Sequence, residues 1–532
     1  MKKILTYFII GAVALGATSC KKYLDINDNP NSPTESTPQL VLPGAIVGTA
    51  GLVNTYNSNF VYPAGYFANI YGVGGYGATI SLNYTSTNFT GVWSASYDNA
   101  TDYQYVLDAT EGDATLIYAN AMARIMKAFV FGKLVDQYND VPYSEALKGA
   151  ALLTPKYDNA EDIYQDLVAQ LNRAITDINT GLASTATTEI LATQDPMFGG
   201  NMARWKVLAN TIKLKLLVKM AGVPALSSFA NTEFAAFDSN LGVIGDAGGI
   251  DDALVNPGYV KQSGKLSPLY GYLAANENDQ RSQGQAIPTT WILSFYNGTK
   301  IADDYRGYSI FSAFPSSPTN QLGNENTLST QVPPQNGTSW YTGDALGSTD
   351  PVPGVAKAPT QAQPVFMGSE AQFLKAEAIV KGYLSGDAQA TFERGIRQSF
   401  HFTLLDQFGA EYYSVSEGLA EYYDVNSTNR LVNFELAATD AQKLEAIITQ
   451  KYIAMNVINA DEAFNEYRRT GYPTVTGTSA TGTFASTQST STRADRMLSR
   501  IPYPQTEYTL NASNVPQNIR IFEDKIFWDV ND

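Results

Sequence analysis

The chain has 532 residues, 44% of them hydrophobic and 16% charged, a globular composition long enough for several domains or one large helical body. Its formal net charge of −16 disfavours nucleic-acid binding, which needs Lys and Arg to displace counterions. One Cys and one His exclude an internal disulfide and leave little room for metal or triad chemistry built on those residues.

At the start of the chain, Lys2 and Lys3 form a positive segment, and Ile4 to Gly16 is a mostly apolar stretch too short to span a bilayer. The small residues Gly16, Ala17, Thr18 and Ser19 then lead to Cys20, the only cysteine. This pattern resembles a bacterial lipobox, although Ala17 stands where Leu is commoner. Residues 1–19 are therefore expected to be a lipoprotein signal peptide, and Cys20 to be lipidated. Residues 20–38 follow as a polar tether, in which Pro30, Pro33 and Pro38 favour extended chain. Asp25, Asn27 and Asp28 lack the Gly and distal Glu of a calcium loop, so no metal is expected there. No later stretch is apolar enough to cross a membrane, which predicts a tethered body.

Helical signals dominate residues 39–532. Asp158 with Glu161 reads as a capping box before Ile163, Leu167, Leu171, Ile175 and Ile178. Trp205, Leu208, Ala209, Ile212 and Leu216 form a second stripe, with Lys206, Lys213, Lys215 and Lys219 expected to cover its other faces. An Ala-rich helix over 366–384, the break Ser385-Gly386-Asp387 and a second helix over 388–399 predict an antiparallel hairpin with Asp387 as N-cap. The lone His401 falls at that second helix's end, where histidine is favoured. Thr439 with Gln442 predicts another start, ahead of Leu444, Ile447, Ile448, Tyr452 and Met455. The fold class is thus all-α dominated, with stacked hairpins of the kind tetratricopeptide repeats use, but without their full consensus.

Three segments break this pattern: 57–97, 255–365 and the Thr/Ser-rich 474–492, the last expected to be mobile. A helical scaffold is filled by its own core, so recognition is assigned to its long loops. The 33 tyrosines suit that task, since the ring is rigid and amphipathic. The candidates in the first loop are Tyr66, Tyr71, Tyr76, Tyr84 and Trp93. Those in the second are Trp291, Tyr296, Trp340 and Tyr341, with Asp303, Asp304 and Arg306 as polar partners. Several of these aromatics are equally expected to pack the loops onto the helices, Trp93 and Trp291 above all. Gly72 to Gly77 fits G-x-G-x-x-G, but lacks the flanking strand and helix of a dinucleotide site. Glu462 and Glu466 lie one turn apart and raise the alternative of a glycosidase pair. Near-neighbour charges are common on helices, and Arg468 and Arg469 adjoin them.

Six segments in order resemble the SusD/RagB family of outer-membrane nutrient-binding lipoproteins. They are LDINDNPNSP (24–33), YNDVPYSEAL (138–147), RWKVLANTIKLKLLVKMAG (204–222), the hairpin of 364–400, QKYIAMNVINADEAFNEYRRTGYP (450–473) and RIPYPQTEYTLNASNV (500–515). The RagB-like branch is the nearer one. Tyr452, Phe464 and Tyr467 stand where the family often has Trp, which keeps aromatic bulk and suits packing. ADDYRGY (302–308) corresponds to the family's Asp-Pro-Arg stretch with Tyr305 in place of Pro, and WYTGDALG (340–347) to its Tyr-x-Gly loop. The resemblance implies a single SusD-like domain over 39–532 that binds oligosaccharide, or alternatively peptide. It also implies delivery to a TonB-dependent SusC-like transporter at the outer membrane, facing the cell exterior, with no cofactor and no bond broken by this chain.

Overall fold

A proline at the first helical position forfeits no hydrogen bond, and Pro38 opens α1 (Pro38–Phe60) in that way. The computed structural model describes residues 36–70, 75–284, 286–325, 340–341 and 351–531. Cys20, with nearly all of the tether, lies outside the described residues, as does Tyr71. After α1 come α2 (Thr90–Ala109), α3 (Ile117–Tyr138), α4 (Ala160–Leu182), α5 (Met202–Ala221) and α6 (Ser227–Ala235). Each packs on the next, so the first half of the chain is a stack of antiparallel neighbours.

The second half adds α7 (Gly368–Val380), α8 (Ala388–Leu404), α9 (Val415–Val425), α10 (Asp440–Ala454) and α11 (Ala460–Thr470). Hairpin α7–α8 packs on α10 and α5, and α11 packs on α1, which brings late and early helices into one core. The strands are short. β1 (Phe67–Asn69) pairs antiparallel with β3 (Ala286–Pro288), and β2 (Ala253–Val255) with β4 (Gln363–Phe366).

Local signals place several helix starts. Asp387 accepts from the Ala390 N–H, and Thr439 with Gln442 forms a reciprocal capping box. The cap of α4 is Asn159, which accepts from Glu161 and Asp162, and not Asp158. Asp158 instead holds the turn before it, accepting from Tyr143, Ser144 and the Ser144 hydroxyl. The Ala-rich helix starts two residues later than the sequence suggests, because Phe366 ends β4.

The lysines of α5 depart most from expectation. Lys215 and Lys219 are buried, at 6% and 1% exposure, because they meet carboxylates from distant helices. Lys215 pairs with Glu370 at 2.9 Å and Glu462 at 2.8 Å; Lys219 pairs with Asp136 at 2.7 Å and Glu462 at 3.2 Å. Lys451 adds Glu462 at 3.4 Å and Glu466 at 3.3 Å, and Arg469 bridges Glu466 and Glu377. A buried ion is tolerated only when paired and hydrogen-bonded. Asp136 accordingly also accepts from the Trp528 indole and the Tyr164 hydroxyl. This network ties α3, α5, α7, α10 and α11 together at the centre of the molecule.

The Thr/Ser-rich segment 474–492 is packed rather than loose. Its single Phe, Phe484, is buried among Trp291, Tyr452 and Tyr467. Gly65, with φ +79°, makes room for that ring, since a Cβ there would collide with Phe484. Ser486 donates to the Ile80 carbonyl, and Gln488 donates to Gly323 and Glu325.

Candidate functional site

Burial sorts the candidate ligand contacts. Tyr66, Tyr84, Trp93, Trp291, Tyr296 and Tyr341 are all buried, so in this structure none offers a ring face for stacking. Each has a structural partner. The Tyr66 hydroxyl donates to the Tyr452 carbonyl, and the Trp291 indole donates to the Tyr452 hydroxyl. Tyr84 packs edge-on against Phe89. Trp93 lies within α2 and wedges against Tyr138. The Tyr296 hydroxyl donates to the Ile453 carbonyl at 3.3 Å.

Asp303 and Arg306 are buried too, paired at 2.5 Å, with the guanidinium over the Phe400 ring and donating to Ser399. Asp303 also caps the short helix Asp304–Ile310. This pair clamps that helix onto α8. Asp304, its first residue, is exposed.

Of the remaining aromatics, Trp340 and Tyr76 are half-buried, and both meet Ile70. Trp340 packs on a satellite cluster of Ala68, Ile70 and Ile287, apart from the main core. Its neighbour Tyr341 is sunk into the core, donating to the Tyr66 carbonyl at 2.6 Å and packing on Phe67 and Phe311. A buried tyrosine thus fixes the half-buried indole beside it, whose Nε1 is sealed from solvent with no acceptor among the described residues. On the other flank of this patch, the Tyr76 hydroxyl accepts from the Ile70 N–H at 3.4 Å. Burial raises the Tyr76 phenol above its ordinary value, so it stays a neutral donor near pH 7.

Two buried amides, Asn69 and Asn320, adjoin this patch on β1 and the 320–325 loop. Asn69 accepts from Gly323 and donates to Asn324, while Asn320 donates to the carbonyls of Asn69 and Asn324. This amide ladder fixes the 320–325 loop against β1. Gln488 then links Gly323 and Glu325 to the Thr/Ser-rich segment. The polar side chains that reach solvent here are half-buried Asn324 and the exposed Gln488 and Glu325, and polar groups beside aromatic rings suit a ligand with both polar and apolar faces.

Glu462 and Glu466 sit in the ion network, sealed from solvent at 0% and 2% exposure. Burial alone would push the Glu462 carboxyl up, but Lys215, Lys219 and Lys451 overcome it and hold it well below the usual carboxylate range. An acid so held cannot donate a proton to a leaving group near neutral pH. The role of this pair is structural cohesion. His401, in the last turn of α8, is half-buried, and burial with the nearby Arg397 lowers its pKa. Among the described residues, no group of His, Cys, Asp and Glu is placed to hold a metal ion, and no helix is long and apolar enough to cross a membrane.

Comparison with known proteins places this geometry in a wider set. Residues 30–504 match a family model described as SusD-like, starch-binding and associating with the outer membrane. No curated protein sequence matches the chain. Among solved structures, a SusD homolog from Bacteroides fragilis shares 23% identity at a TM-score of 0.67, over 93% of this chain and 100% of that one. A SusD homolog from Bacteroides uniformis shares 24% at a TM-score of 0.67, over 92% and 99%. A chitin-binding SusD homolog from Flavobacterium johnsoniae shares 20% at a TM-score of 0.68, over 92% and 99%. These likenesses agree with the helical fold described above.

Proposed function

We propose, because the chain belongs to the SusD-like family of starch-binding proteins associating with the outer membrane, that it captures oligosaccharide at the cell surface. It then passes the glycan to a TonB-dependent SusC-like transporter and breaks no bond itself. Cys20 would carry the lipid anchor, with the body facing the exterior.

The observation that carries this reading is Trp340, half-buried next to core-anchored Tyr341 and packed on Ile70, which Tyr76 also touches. A pyranose ring has an apolar face that suits an indole, and its hydroxyls suit the amides and carboxylate nearby. Tyr71 adjoins Ile70 in sequence and is retained as a candidate on that ground. Asp304 remains a polar candidate on exposure alone.

The test is calorimetry with maltooligosaccharides and chitooligosaccharides on Trp340→Ala, Tyr76→Ala and Tyr71→Ala. Aromatic contacts contribute about 0.5–1.5 kcal/mol beyond area burial, so losing the Trp340 ring should weaken binding about 2- to 12-fold at an unchanged melting temperature. If all three variants bind like the parent, glycan does not stack on this face. If peptides bind in place of glycans, the substrate class is wrong.

A further inference from the structure

A second concave surface lies away from the aromatic patch. The end of α2, the first half of α3, α4 and the turn at 143–148 enclose a cleft of about 980 Å³, within the range of small-ligand sites. Arg124 and Lys127, three residues apart on α3, line it on one helix face.

Both cations are half-buried, and their hydrogen-bond partners are neutral. Arg124 donates to the side-chain oxygens of Gln170 and Asn120, the latter at 2.9 Å. Its buried Nε has no acceptor among the described residues. Lys127 donates to the Gln104 side chain at 2.5 Å and stands 5.7 Å from the ring centres of Phe131 and Tyr143. Three acids act on them, and each is engaged elsewhere. Asp177, which acts most on Arg124, pairs with Arg173 at 3.6 Å. Asp108, which acts most on Lys127, accepts from the Gln104 amide. Asp166, which acts on both, accepts from the Tyr143 hydroxyl and the Gln170 amide. Neither cation makes an ion pair within 4 Å among the described residues. Lys133, Lys215, Lys219 and Lys451, by contrast, each meet a carboxylate.

Withdrawing a cation from water without an opposite charge is costly. The cost is visible at Lys127, where burial pulls the ammonium down to about 8 although Asp108 and Asp166 oppose it. A carboxylate is the natural complement, being planar and matched to the guanidinium fork. The surrounding acids limit the choice further. Asp108, Glu111 and Asp162 also line the cleft and would repel a polyanion, so the fit is to one carboxylate on a ligand otherwise neutral or cationic.

We propose that this cleft is a second binding site, which takes a carboxylate-bearing ligand onto Arg124 and Lys127. The carboxylate belongs either to an acidic sugar or to a peptide terminus. The site is independent of the Trp340 face.

Calorimetry with two matched pairs tests this: galacturonate disaccharide against its methyl ester, and trialanine against its C-terminal amide. One acid should bind, and its uncharged partner at least tenfold more weakly; the pair that shows the difference identifies the source. Arg124→Gln and Lys127→Gln should each weaken that binding at least tenfold, while Trp340→Ala leaves it unchanged. Should Arg124→Gln lower the melting temperature, Lys127→Gln decides the matter. The proposal is overturned if neither acid binds at millimolar concentration, if acid and neutral forms bind alike, or if a normally folded Lys127→Gln variant binds like the parent.

Discussion

Replacing Glu462 with Ala should destabilise the protein by about 3–5 kcal/mol, the usual result of removing one partner from a buried ion pair. Glu462 is the carboxylate that Lys215, Lys219 and Lys451 share, and it is wholly buried. Its loss would leave three buried ammonium groups with fewer anions and no water to replace them. Glu523→Ala is the control, because its pair with Arg520 lies at the surface and such pairs contribute about 0–1 kcal/mol. Denaturant unfolding at pH 7 measures both. A Glu462→Ala variant as stable as Glu523→Ala would show that the network contributes no net cohesion.

The same network sets a dependence on acid. Burial opposes ionisation of Glu462 and Glu466, yet the lysines and Arg469 hold both below the ordinary glutamate value of 4.5. The unfolded chain then binds protons at these sites before the folded one does, so their contribution is fully present above that value and is lost as pH falls through the folded values. Asp461, which burial pushes up despite Lys133, works in the opposite direction. With Glu462 and Glu466 both depressed, unfolding stability should drop on going from pH 5 to pH 3, and drop less in Glu462→Ala.

Cys20→Ala should release the protein from the membrane fraction and abolish lipid labelling. Burying acyl chains contributes about 0.8 kcal/mol per CH₂, and stable anchoring needs more than one such signal. Cys20 is the only cysteine and the only sulfur acceptor for that chemistry in the chain. Fractionation of cells that express the two forms, with a labelled fatty acid in the medium, gives the result. A variant that stays both labelled and membrane-bound would refute the anchor.

The parts of this fold that depend on near neighbours in sequence could be read from it. Asp387, Thr439 and Gln442 announce their helices because a cap is a contact within three residues. The stripes on α4 and α5 are legible because helical periodicity is local. Tyr452, Phe464 and Tyr467 are buried, as expected of bulky substitutes for Trp. Lys215 and Lys219 were not legible. Their partners Glu370 and Glu462 arrive from helices far along the chain, and a lysine on a helix otherwise reads as surface.

Aromatic rings posed the same difficulty. Composition shows that Trp340 and Tyr341 lie together but not that Tyr341 is sunk into the core while Trp340 stays half-buried, which depends on Phe67, Tyr66 and Phe311. Asp303 and Arg306 look like ligand contacts for want of Phe400 and Ser399 in the same window. In the Thr/Ser-rich segment, one residue, Phe484, outweighs the composition around it, because a single buried ring is enough to pin a loop.

A SusD-like chain that captures glycan for transport should bind it without cleaving it. Titration of the intact protein with maltooligosaccharides, chitooligosaccharides and short peptides, followed by chromatography of the recovered ligand, tests it most directly. One glycan series should bind with a Kd between about 1 μM and 1 mM, that is about −8 to −4 kcal/mol, and be recovered at its original length. Shortened products, or binding of peptides with no glycan bound, would contradict it.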